Sequence, residues 1–296
     1  ALINLGFTQL KQGNLNEAER LLKQGVQTAR QGDHLERIAF GSLNLGVLVH
    51  QKGMLAEAIE YYAECRSLFR RLGNRTQLAR VMYNLALLFR IIGDTKRAEI
   101  HNEEAMRLAK QCNVEKLCTL TRVLAARLKA DCENSYDALK DLESLLHELE
   151  TNAKTVPATV RIEYGRLLLE TGKTKEAFAG LSMTTQGFST DVSSSLKTKA
   201  QMFLGRCMSQ LGSSRALGTL EEARRESQRL KEDLLLSEVE LTLCRHFLAN
   251  QDIDTAQRHF AQAQQIQNRL HSSLPETLGI EFEHSANQRE LRELQS

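Results

Sequence analysis

The sequence predicts an all-α fold: about seven helix–turn–helix units stacked as an α-solenoid and closed by a C-terminal capping helix. Three observations predict it. The skeleton of Leu43–Cys65 (LNLGVLVHQKGMLAEAIEYYAEC) is already present forty residues earlier at Ile3–Gly25, and it returns forty residues later at Tyr83–Ala105. Glycine recurs at fixed places within that period. Only two prolines interrupt 296 residues, which suits a nearly all-helical chain because each proline removes a backbone donor. An internal period overrides the one or two globular domains that this length would otherwise suggest.

Aligned on the period, the first helix of each unit carries a small column: Gly6, Gly46, Ala86, Ala126, Gly165, Gly205, Cys244. Glycine inside a helix costs about 1 kcal/mol relative to alanine, so its recurrence implies close approach of a neighbouring helix. The column before it is mostly large and apolar: Leu5, Leu45, Leu85, Ala125, Tyr164, Leu204, Leu243. Seven residues after the small column comes a stop, at Gly13, Gly53, Gly93, Glu133, Gly172, Gly212 and Gln251. Glycine there fits a helix end that needs a left-handed residue. Glu133 and Gln251 depart from it, and Asn134 is expected to serve beside the first.

The second helix begins with alanine five residues past the stop: Ala18, Ala58, Ala98, Ala138, Ala177, Ala256, with Ala216 one residue early. Four further on stand Leu22, Tyr62, Asn102, Leu142, Leu181, Leu220 and Phe260, and three beyond those the residue is often small (Gly25, Cys65, Ala105, Ala223, Ala263). Spacings of three and four mark one packed stripe. Neither helix can bury its stripe alone, so successive units must stack.

These columns resemble the tetratricopeptide repeat, from Ala1 to about Leu270. The usual period of that repeat is about 34 residues; the forty-residue version is similar to the long variety of kinesin light chains, LGN-type adaptors, and bacterial regulators of the MalT and multidomain-kinase kind. The resemblance implies a right-handed superhelix with the first helices lining a concave groove. The expected organisation is repeats 1–5 over 1–183, a polar loop or hinge over 184–195 (TTQGFSTDVSSS), repeats 6–7 over 196–270, and a capping helix over 271–296. Pro157 is placed at a helix start. The tail's charges, among them Glu283, Arg289, Glu290 and Glu293, suit a helix with one solvated face.

Composition narrows the function. A net charge of +2 with 26% charged residues argues against a general nucleic-acid or anionic-membrane binder. No apolar run reaches the roughly 18–20 residues of a membrane span. The six cysteines lie scattered without a CxxC, so reduced, mostly buried thiols in a cytoplasmic protein are expected. Cys112 and Cys118 with His101 and Cys132 make a poor metal set. No phosphate-cradling loop, nucleophile elbow or paired-carboxylate geometry is present, so neither a cofactor nor an enzymatic reaction is expected. The chain begins without Met and with Ala1 inside a repeat, which points to a segment of a larger protein with possible flanking domains.

The groove wall carries the candidate binding residues. Two before the small column stand Asn4, Asn44 and Asn84, then Leu124, Glu163, Phe203 and Thr242. One after it stand Phe7, Val47 and Leu87, then Arg127, Arg166, Arg206 and Arg245. Residues three apart share a helix face. His50 and Arg90 extend that face by one turn. Helices stack about 8–10 Å apart and an extended peptide rises about 3.3 Å per residue, so an asparagine ladder meets roughly every third residue of a bound strand. Each amide offers a donor and an acceptor to a peptide backbone. In kinesin-light-chain and LGN-like repeats such asparagines hold target peptides, and the resemblance carries that role to Asn4, Asn44 and Asn84. The plainer reading is helix–helix packing. The arginine ladder likewise has two readings: a grip for carboxylates or phosphates of a partner, or a wall neutralised by its own Glu163, Asp131 and Glu170.

A non-catalytic peptide-binding adaptor is therefore expected, with a protein or peptide partner in which an acidic stretch would answer the arginine ladder. The alternative is a regulatory or sensor segment that binds a small effector or its own catalytic domain.

Overall fold

A computed structural model describes residues 1–132, 134–152, 154–188 and 192–294 in full, and residue 295 by its backbone. The described residues form sixteen helices and no strand. The first-helix series is α1 (Leu2–Lys11), α3 (Leu35–Gln51), α5 (Arg75–Ile92), α7 (Glu115–Asp131), α9 (Ala158–Glu170), α11 (Ser194–Gln210) and α13 (Asp233–Ala249). The second-helix series is α2 (Leu15–Gln31), α4 (Leu55–Arg71), α6 (Thr95–Gln111), α8 (Ser135–Thr151), α10 (Thr174–Gln186), α12 (Ala216–Leu230) and α14 (Ile253–Ser272). Two short helices follow, α15 (Glu276–Phe282) and α16 (Ala286–Gln295). The fold is an α-solenoid of helix–turn–helix repeats, and α3, α5 and α7 begin forty residues apart.

The small column does what its recurrence implies. A Cβ on Gly6 would stand 2.7 Å from Leu22 Cγ, and one on Gly46 would stand 2.6 Å from Tyr62 Cε1. Gly165 meets Leu181 Cγ at 2.7 Å and Gly205 meets Leu220 Cδ2 at 2.6 Å in the same sense. The first helix of each of these repeats is thus seated on the large residue of its own second helix. The stops are left-handed as expected at Gly13, Gly53, Gly93, Gly172 and Gly212. Gln251 takes the same conformation, with φ 62°, although it lacks glycine's freedom. Glu133 lies outside the described residues. Asn134 does not supply the left-handed turn: its φ is −108°, and its side chain caps α8 by accepting from the Asp137 N–H.

The helices fall into two compact units. Unit 1 comprises Ala1–Thr121 with Leu230–Leu234 and Asn268–Ser285. Its core is formed by the facing stripes of α1–α6, with Leu22, Leu45, Tyr62, Phe69, Met82 and Leu88 fully buried. Phe40 meets Phe69 edge to face at 5.3 Å. Residues from the later segments close over the repeat turns: Leu230 against Gly13, Leu270 against Gly53, and the Glu281 carbonyl against Gly93. A side chain on any of these three glycines would collide there.

Unit 2 comprises Arg122–Arg229, Leu235–Gln267 and Ala286–Ser296. Its main core joins Leu142, Leu181, Leu220, Ile162, Leu167 and Leu243. A smaller cluster seats Leu291 of α16 on Leu241 and Ala263, with Phe260 and Leu294 at its edge.

Three expectations need correction. The tail is not one capping helix: Pro275 opens α15, and residues 283–285 separate it from α16. The polar break is shorter than 184–195, because Thr184–Gln186 complete α10 and Ser193 caps α11 by accepting from the Leu196 N–H; residues 189–191 lie outside the described residues. The cysteines are all free, but only Cys65, Cys207 and Cys244 are buried; Cys132 is exposed. Among the described residues no group of three His, Cys, Asp or Glu is placed to hold a metal, and no helix is long and apolar enough to cross a membrane.

Candidate functional site

The site is the wall formed by the first helices, and it has a different character in each unit. In unit 1, α1 contacts α3 and α3 contacts α5. From Gly41 to His50 every residue is buried except Asn44, Val47 and His50. Three residues at a spacing of three make one narrow half-open stripe on this stretch of the helix. On α5 the stripe recurs as Asn84, Leu87 and Arg90, with Tyr83 beside it. On α1, Asn4 is exposed and Phe7 is 40% exposed, its ring under Lys11 Nζ at 4.8 Å. The structure therefore places Asn4, Asn44, Asn84, Phe7, Val47, Leu87, His50 and Arg90 in equivalent positions on three neighbouring helices. The side-chain amides of Asn44 and Asn84 make no hydrogen bond among the described residues. His50 is less available: its Nδ1 lies 3.3 Å from Tyr62 Oη, and burial pushes its pKa down to about 4.

In unit 2 the first of these columns turns inward. Leu124, Glu163, Phe203 and Thr242 are all buried. Glu163 takes Arg127 at 3.1 Å and Arg166 at 2.9 Å, and Arg166 also reaches Glu170 at 2.5 Å. Burial opposes the charge of Arg166, but Glu163, Glu170 and Asp131 outweigh it and raise its pKa. The first two arginines of the ladder are thus neutralised by their own chain.

The remaining two differ. Arg245 pairs with Glu290 of α16 at 2.6 Å. Arg206 makes no ion pair or hydrogen bond among the described residues, and burial together with Arg245 lowers its pKa. Burial pushes the Glu290 carboxyl up, against the pull of Arg245 and Arg206. Arg289 of α16 donates to the Asp131 carbonyl at 2.7 Å. The tail charges expected on a solvated face thus include two that are tied to the wall. Sequence reading recognised Glu163, Glu170 and Asp131 as counter-charges but missed Glu290, because nothing local in the tail shows which repeat it meets.

The comparisons with known proteins agree with this architecture. Two tetratricopeptide-repeat family models match, one over residues 37–111 and one over residues 1–31. No curated protein matches the sequence. Among solved structures, a Rap protein complexed with competence and sporulation factor aligns over 99% of this chain and 96% of its own, at TM-score 0.64 and 14% identity. The Rap conjugation gene regulator of plasmid pLS20, in complex with the Phr* peptide, aligns over 90% of this chain and 77% of its own, at TM-score 0.66 and 13% identity. A tetratricopeptide-repeat protein from Parabacteroides merdae aligns over 94% and 97%, at TM-score 0.51 and 19% identity. At such identities the likeness is one of fold. It agrees with the tetratricopeptide repeats matched within residues 1–111 and with the helix pairs that continue their period beyond them.

Proposed function

We propose that the chain is a non-catalytic interaction module whose unit 1 wall holds an extended peptide of a partner protein. The observation that carries this is the open stripe. Along Gly41–His50 of α3 the only half-open positions are an asparagine, a valine and a histidine, and α5 repeats the pattern with Asn84 and Leu87. An amide without an intramolecular partner offers donor and acceptor together, which matches a peptide backbone. The apolar residue one turn on supplies a contact for a side chain of the peptide. Two structures of like fold are complexes, one of them with a peptide, which supports the same reading. In unit 2 the segment that meets Arg206 and Arg245 would be an acidic stretch, since Arg127 and Arg166 already have carboxylates.

The test is selection of peptides on the full chain from a displayed random library, followed by affinity measurement with Asn44→Ala and Asn84→Ala. Each lost amide contact is worth about 1 kcal/mol, so each variant should bind the selected peptide roughly fivefold more weakly. Selected peptides that bind both variants as tightly as the wild type would place binding elsewhere.

A further inference from the structure

We propose that α16 is an intramolecular occupant of the arginine wall, with Glu290 standing where a carboxylate of an acidic peptide sits once α16 leaves. The inference rests on the reading of the first-helix wall as a peptide site, here in unit 2. Three observations carry it.

The first is the pairing of charge. Arg127 and Arg166 are satisfied by Glu163 and Glu170, whereas Arg245 is paired with Glu290 of α16 and Arg206 has no ion pair among the described residues. Arg206 is thus the arginine of the wall left without a pair, and a segment carrying two carboxylates would satisfy both it and Arg245. Guanidinium–carboxylate hydrogen bonds are among the stronger ones, which makes that difference decisive.

The second is how α16 is held. Its apolar anchorage is Leu291, buried on Leu241 and Ala263, with Leu294 at the edge. Its polar anchorage is the Glu290 pair and the Arg289 bond to the Asp131 carbonyl. The third is its length. A helix of ten residues is marginal in water on its own, so α16 is ordered by its contacts with the wall and unravels when they are replaced. Release is therefore directly readable as backbone amide exchange.

The experiment uses the full chain and a fluorescein-labelled hexaglutamate peptide as probe. With the wild type, saturating hexaglutamate should speed amide exchange across 286–295 at least tenfold and leave α13 protected. Glu290→Gln should bind the probe about tenfold more tightly than the wild type, and adding Arg206→Gln should abolish that gain. Unchanged exchange in α16 on binding, or equal affinity of the wild type and Glu290→Gln, would show that α16 is a fixed structural cap. The exchange measurement needs no variant, so it decides even if a substitution unfolds the chain. Hexaglutamate reports on the arginine wall alone, whereas the Asn44 and Asn84 variants report on unit 1, so failure of either reading leaves the other standing.

Discussion

The asparagine column of the repeat is open in unit 1, and its equivalent is closed in unit 2. Asn44 and Asn84 are half-exposed and unpartnered, while Glu163, Phe203 and Thr242 at the equivalent place are buried. The backbone framework is shared: Gly46 on Tyr62 and Gly205 on Leu220 approach equally closely. What differs is which side chains the framework presents and what covers them. A repeat scaffold fixes where a wall lies, and the wall residues then determine whether it is a surface or a second core.

The largest expected effect breaks the closed wall. Glu163→Leu leaves Arg127 and Arg166 buried with one counter-charge fewer, and removing one partner of a buried pair costs about 3–5 kcal/mol. Adding Arg166→Leu should recover a large part of that loss. Asn84→Leu, at the same column of unit 1, should change stability by no more than about 0.5 kcal/mol. Urea unfolding of the four chains checks this, and a loss under about 1 kcal/mol for Glu163→Leu would mean the closed wall is not held by its charges.

A second effect belongs to unit 1 and to pH. The imidazole of His50 has its pKa held down to about 4 by burial, against an ordinary value of 6.5. Above pH 6.5 it is neutral in both folded and unfolded chains. Between 6.5 and 4 the unfolded chain takes up a proton that the folded chain refuses, so stability falls as pH falls through that window, by at most about 3 kcal/mol. His50→Gln should flatten that part of the profile measured by chemical denaturation at stepped pH. An unaltered profile would show that the ring is solvated.

The framework itself should not distinguish the units. Gly46→Ala and Gly205→Ala each drive a Cβ to 2.6 Å from a side chain of the paired helix, and overpacking of that kind costs about 1–3 kcal/mol. Similar losses of melting temperature are expected for both. A large loss in one with none in the other would mean that the units are built differently from the backbone up.

The fold was legible because its signals are local and repeated. Gly6, Gly46, Gly165 and Gly205 stand at one register, and four residues past Ala18, Ala58, Ala177 and Ala216 stand the side chains they meet. Less visible were the ends of the second helices, where Asp33, Gly73 and Asn113 take positive φ at a forty-residue spacing; three residue types that tolerate that conformation hide the column. The open stripe of unit 1 was readable as a face. The closure of unit 2 was not, since Glu290 and Arg289 reach partners 45 and 158 residues away in sequence, and no periodicity encodes a contact made once.

The smallest predicted effect is the most discriminating. Asparagine is a poor residue for the middle of a helix, because its amide competes for nearby backbone groups, and alanine is better by several tenths of a kcal/mol. Asn44 and Asn84 sit mid-helix, half-exposed, with no bond to repay that cost. Asn44→Ala and Asn84→Ala should therefore leave the chain slightly more stable, by about 0.3–0.6 kcal/mol each. If instead each substitution destabilised the chain by more than about 1 kcal/mol in thermal unfolding, the asparagines would be packing residues and the plainer reading of the column would hold. A gain in stability combined with weaker binding of a selected peptide is the signature of side chains kept for a partner at the expense of the fold, and it would separate the open wall from the closed one by function as well as by exposure.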